Sequence, residues 1–201
     1  MRNSIVFAFL ICFSFCGFGQ RNVRDSAIAT PWIAIHYGWN ATGGDLSSRF
    51  GPVHHVGAMA GYKTAKNWVY GLDGNFIFGN KVRIPNMLAA LTDSYGNIMD
   101  VNGDQAIVVV NMRGFNVNTM VGKVFPVLSP NKNSGIYVHA GVGYVQYKAR
   151  IETQDQVVTT LELDYRKGYD RYTTGLNFHQ FAGYAFMANQ GFINFYGGFY
   201  I

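Results

Sequence analysis

Apolar residues recur at every second position in seven stretches of this chain: 32–40, 54–63, 67–79, 107–123, 135–147, 175–187 and 192–201. A period of two sends alternate side chains to opposite sides of a strand, so each stretch predicts a β-strand with two unlike faces. One face is greasy. It carries Ile33, Ile35, Tyr37 and Trp39 in the first stretch, and Val56, Ala58, Ala60 and Tyr62 in the second. In the fifth it carries Ile136, Val138, Ala140, Val142 and Tyr144, and in the seventh Ile193, Phe195, Phe199 and Ile201. The fourth stretch is less regular. Val108, Val110 and Met112 alternate in one phase and Phe115 and Val117 in the other, a conflict that a bulge near Gly114 would reconcile.

The third stretch contains Asp73-Gly74, a strong hairpin signal when alternating apolar residues flank it. A turn there would mix the two phases on each face. A single strand instead keeps Trp68, Tyr70, Leu72, Phe76 and Phe78 together on one side, with Gly71, Asp73 and Asn75 on the other. The single strand is the expectation.

The connections alternate in length. Those at 41–53, 80–106 and 148–174 are long, whereas 64–66, 124–134 and 188–191 are short or moderate. Up-and-down barrels of the bacterial outer membrane have this rhythm, with short periplasmic turns and longer external loops, and their strands show an apolar lipid face. A soluble sandwich has no reason to gather its long loops at one end. Strand lengths also fit a tilted crossing of the hydrocarbon layer.

Composition points the same way. Only 13% of the 201 residues are Asp, Glu, Lys or Arg, 16% are aromatic and 24 are Gly, yet mean hydropathy is close to zero. Strands that are greasy on one face only produce that mixture. Of the 11 acidic residues, Asp73 alone falls in mid-strand, and Arg113 is its central basic counterpart. The formal net charge is +5 without any run of basic residues, which argues against a nucleic-acid partner. The N-terminus, MRNSIVFAFLICFSFCGFG, reads as a signal peptide over 1–19: Arg2 precedes an apolar core too short for a spanning helix, and small residues surround the cut. Its removal leaves 20–201 as the barrel. Both cysteines, Cys12 and Cys16, leave with it, so thiolate-metal, disulfide and cysteine-nucleophile chemistry are not expected.

Gln20 at the expected mature start and the glycine-aromatic ending FINFYGGFYI resemble small outer-membrane β-barrel proteins of Gram-negative bacteria, those of the Bacteroidota most. The resemblance is one of pattern over 20–201. It implies an all-β, antiparallel transmembrane barrel of about eight strands in the cell envelope. Seven strands are visible, and bacterial single-chain barrels have an even number. The expectation is therefore a closing strand missing from this sequence or hidden in a loop, with VVTTLELDY at 157–165 the best candidate.

Chemistry-bearing residues are sparse. His54 and His55 are adjacent and point to opposite sides; His36, His139 and His179 lie on three strands and face the lumen if the phases hold. Packed lumen histidines are the expectation, without metal or other cofactor. DVNGD at 100–104 spaces carboxylates as a calcium loop does but lacks the downstream Glu, so a polar loop tip is expected. Residues 150–171 mix Glu152, Asp155, Glu162, Asp164, Arg166, Lys167 and Arg171, a solvated external loop able to meet lipopolysaccharide or an envelope protein. Barrel enzymes such as lipid A deacylases need a nucleophile, a base and an orienting group at one depth. His179 offers a base, but no serine pairs with it, so no catalytic residue is assigned. The function expected is non-enzymatic: a structural or interaction barrel, accessory to envelope assembly or secretion. The alternatives are an outer-membrane lipid hydrolase and a soluble secreted β domain. One structural pair is expected in the lumen. If Gly79 lies opposite Ile107, Asp73 faces Arg113.

Overall fold

A computed structural model describes residues 26–154, 156–162, 164–189 and 194–201. The expected leader at 1–19 lies outside the described residues, as do Asp155 and Ile193. The chain forms β1 (Thr30–Asn40), β2 (Val53–Lys63), β3 (Trp68–Gly79), β4 (Val109–Phe125), β5 (Gly135–Glu152), β6 (Thr173–Met187) and β7 (Asn194–Tyr200). Each strand pairs antiparallel with the next in one sheet, which curls into a nearly closed barrel. β1 and β7 run in the same direction, and side chains of β7 reach both β1 and β2: the His36 and Tyr196 rings lie 6.3 Å apart, and those of His55, on β2, and Tyr200 5.8 Å.

The Asp73-Gly74 stretch is one unbroken strand. Its outward face is ordered along its length, with Trp68 and Tyr70 first, Leu72 and Gly74 in the middle, and Phe76 and Phe78 last. Neighbouring strands continue the pattern. Antiparallel pairing places Ile33, Ala60, Leu72, Thr119, Val142 and Phe178 in one outward row, and Ile35, Ala58, Gly74, Val117, Tyr144 and Leu176 in the next. These outward side chains are open to the surroundings: Ile33 is 79% exposed, Ile35 84% and Leu176 91%. Aromatics gather at the two margins of this largely aliphatic band. Trp68, Tyr70, Tyr62 and Phe125 stand toward the short-turn end, and Tyr37, Trp39, Phe76 and Phe115 toward the long-loop end.

The short connection after β2 closes through Asn67, whose φ of +63° falls in the left-handed region that Asn tolerates, while Asn67 N–H donates to the Thr64 carbonyl. At that end Lys63 is fully buried. Its Nζ donates to the Ile28 carbonyl at 3.1 Å and to Asn133 Oδ1 at 2.8 Å, which straps the lead to β1 across the barrel mouth. Asn133 adds a bond from its Nδ2 to the Ser26 carbonyl, 2.8 Å.

The other mouth is capped by the long loops. A six-residue helix, α1 (Gly44–Arg49), leads into Phe50, which packs with Val53, Met112 and Ala149. Beside it Ile98, Ala106, Ile151, Val158 and Leu161 form a second apolar cluster. The cap corrects two expectations. No bulge occurs at Gly114, because β4 keeps one register with β3 from Met112 to Lys123 and one with β5 from Val109 to Phe125. Val110 and Met112 are apolar inward positions that serve the cap, whereas Phe115 and Val117 are apolar outward ones. The described residues of 157–165 are also not a strand. Thr159–Leu161 is a 3₁₀ turn, and Val158 and Leu161 are apolar because they anchor it in the cap.

Candidate functional site

The inward faces of β1–β4 bring together a polar cluster around Asp73, which is 3% exposed. Asp73 lies opposite Met59 on β2 and Asn118 on β4. Its Oδ1 accepts hydrogen bonds from Asn75 Nδ2 and from Asn118 Nδ2, the second at 3.4 Å. Asn75 Nδ2 also donates to Asn116 Oδ1 at 2.9 Å, and Asn75 Oδ1 meets His36 Nε2 at 2.6 Å. His36 Nε2 stands 3.5 Å from Asp73 Oδ2. A buried carboxylate is tolerated only when donors surround it; the Asn75 and Asn118 amides supply two, and the His36 imidazole stands beside the other oxygen.

Glycines make the room. Gly57 pairs across the sheet with Asn75; a Cβ there would press on Asn75 Oδ1 and lie 2.5 Å from the Gly74 carbonyl oxygen. Gly141 pairs with His179 in the same way, its missing side chain replaced by the imidazole. Gly57→Ala should therefore lower stability by roughly 1–3 kcal/mol, the usual cost of overpacking, with the shift read in the midpoint of urea unfolding. An unchanged midpoint would show that the Asn75 cluster has slack.

The expected Asp73–Arg113 pair does not form. Gly79 faces Met112 rather than Ile107, so Arg113 lies opposite Phe78 and Lys148 on the outward side, near the long-loop end. Its Nη1 donates to the Met112 carbonyl at 2.9 Å. Of Asp73's own neighbours, the alternation places Asn75 on its face, but it does not bring His36, Asn116 or Asn118 to it. Asn116 and Asn118 share the inward phase of β4, and that phase was the available signal.

The histidines divide as their phases predict. His54 faces outward, its Nδ1 2.6 Å from the Tyr37 hydroxyl and its ring stacked on Phe78. His36, His55, His139 and His179 face inward. His139 stacks on Phe181 with ring centres 5.0 Å apart, and His179 lies nearly parallel to Tyr200 at 5.2 Å. Both ring nitrogens of His179, 2% exposed, lack a hydrogen-bond partner in the protein, and no serine hydroxyl is bonded to it. Among the described residues, no group of three or more His, Cys, Asp or Glu side chains is placed to hold a metal ion.

At the loop end, the Asp100 carboxylate is used internally. Its Oδ1 accepts from the backbone N–H of Asn102 at 2.8 Å and of Asp104 at 2.9 Å. These bonds, that from Asp104 foremost, hold its pKa below the usual carboxylate range. The turn's support is thus present above the ordinary carboxylate pKa and lost as pH falls through the lowered one. Amide-exchange protection of Asn102 and Asp104 should fade only in that more acidic window, and Asp100→Ala should abolish it at neutral pH. The 150–171 region also satisfies part of its charge locally, with Lys148–Asp170 at 3.1 Å, Arg150–Glu152 at 2.7 Å and Lys167–Asp164 at 2.6 Å.

No family model matches the chain, and no curated protein or solved structure does.

Proposed function

We propose that the protein is an outer-membrane β-barrel with a filled lumen, non-enzymatic, whose role is structural and adhesive: it holds a capped platform of loops at the cell surface. The observation that carries this reading is the exposed apolar outer face. An aliphatic outward band with aromatics at both margins surrounds an interior in which buried Asp, Asn and His side chains sit beside an apolar cluster of Met59, Met120, Val124, Tyr137 and Phe181. In water such a continuous apolar surface is an aggregation hazard; in a bilayer it is the lipid contact, and the aromatics sit at the headgroup level. Thr119, an outward polar residue in the middle of the band, bonds its hydroxyl to the Val142 carbonyl at 3.1 Å, as a lipid-facing hydroxyl must.

The filled interior argues against a pore, since a barrel of about eight strands has room only for its own side chains. What remains accessible is the loop end, where the rim around 148–171 presents exposed charges and Tyr165 and Tyr172. A platform of this kind fits recognition of an envelope protein or of lipopolysaccharide. Cell fractionation tests the membrane assignment. The mature protein should appear with outer membranes, need detergent for extraction and run faster on gels unheated than boiled. Recovery in the soluble periplasmic fraction without detergent would overturn it.

A further inference from the structure

The outward band is not smooth. Between β4 and β7 a depression of about 440 Å³ opens where Ala140 and Ala182 leave the surface low. Trp68 and Phe125 stand along one side of it, and Phe199 along the other. It runs into a second depression that shares Val121 and Ala140 and ends at Phe178. From the row of Lys123 to that of Thr119 is four residues along β4, about 13 Å at strand rise or roughly 10 Å of depth for a tilted strand, which fits within the roughly 15 Å of one leaflet's hydrocarbon.

The polar groups of this groove are ordered. Lys123 stands at its short-turn end, with Nζ 5.0 Å from the Trp68 ring centre and 5.4 Å from that of Phe125. No carboxylate among the described residues pairs with it. Gln180 presents its amide one row deeper, beside Ala140, and only apolar groups and the Thr119 hydroxyl follow. A cation, then an amide, then an apolar trough is the order of a phosphate, a glycerol ester and an acyl chain.

We propose that this groove is a binding site for one glycerophospholipid of the periplasmic leaflet, its phosphate on Lys123 in the row of Ala182, an ester carbonyl at Gln180 and one acyl chain along Ala140 toward Val142 and Phe178. The inference rests on the membrane reading above. Charge complementarity selects the occupant, because an uncompensated ammonium beside two aromatic rings at the headgroup level attracts an anion and a purely apolar partner would leave it unused.

Trp68 lines the site and reports on it. In a Trp32→Phe, Trp39→Phe background, reconstituted in phosphatidylcholine vesicles, brominated phosphatidylglycerol should quench Trp68 saturably at low mole fraction. Lys123→Gln should weaken that quenching by about tenfold, the scale of one lost charge-assisted contact. Ala140→Phe, which fills the trough, and Ala182→Leu, which fills the groove beside the headgroup, should each remove the saturable phase. Unheated gel mobility identifies any variant that has not folded, and either filling variant suffices alone. Quenching that rises linearly with mole fraction, identical in all variants, means ordinary boundary lipid and overturns the site while leaving the membrane reading intact. Loss in the filling variants with no change in Lys123→Gln also overturns it, because the headgroup would then be unrecognised. Failure of the membrane reading gives a different result, no quenching of Trp68 by any bromolipid.

Discussion

Asp73→Ala is expected to destabilise the barrel by roughly 2–4 kcal/mol, because it strips a buried cluster of its common acceptor. Asn75 and Asn118 both donate to Asp73 Oδ1, and His36 stands beside Oδ2. Without the carboxylate, Asn118 Nδ2 keeps only a 3.4 Å contact to Asn116 Oδ1, and a void opens between β2 and β4. Asp73→Asn preserves the shape and one acceptor, so it should cost less. The partners can be told apart by double-mutant cycles. Asp73→Ala combined with Asn118→Ala should depart from additivity by about 0.5–3 kcal/mol, whereas Asp73→Ala combined with Arg113→Gln should add to within about 0.5 kcal/mol. Coupling to Arg113 but not to Asn118 would contradict the register of β3 on β4.

That register marks where the sequence is legible and where it is not. All seven strands follow from the period of two, and so does the direction each outward row faces, because an apolar residue on the wrong face would be paid for in every row. Asp73 within a single through-strand is readable for the same reason: a hairpin at Gly74 would split Leu72 from Phe76. Pairing across a long loop is another matter. Residues 80–108 carry their own apolar residues, Val82, Ile84, Met87, Leu88 and Leu91 among them, which pack into the cap. Val82 and Ile84 carry an apolar alternation past the end of β3, and Ile107 leads into β4 before its first residue, so the loop end gives no register. The phase of Phe115, Val117, Val121 and Phe125 does place odd-numbered positions of β4 outward, and with it Arg113. The apparent phase change at Met112 hid this, because the inward face of a capped barrel turns from polar in the middle to apolar beneath its loops. Lys63 illustrates a further limit. Its position near a short turn reads as an exposed interfacial charge, and only the fold brings Ile28 and Asn133 over it.

Arginine placed on the outward face should cost in proportion to its depth. At Leu72 and Val142, in one row across the middle of the aliphatic band, a guanidinium displaces side chains that contact hydrocarbon, at roughly 2–4 kcal/mol each. At Val56, which pairs with Tyr37 and Phe76 at the aromatic margin, it reaches headgroups and water for about 0–1 kcal/mol. In a protein that met water on this face, all three would be surface substitutions with effects within about 0.5 kcal/mol. Urea unfolding of Leu72→Arg, Val142→Arg and Val56→Arg in phospholipid vesicles therefore measures what the outward band touches. The predicted result is a large loss at the two central positions and a small one at the margin; three equally small losses, in a protein that stays dispersed without detergent, would contradict a bilayer as its surroundings.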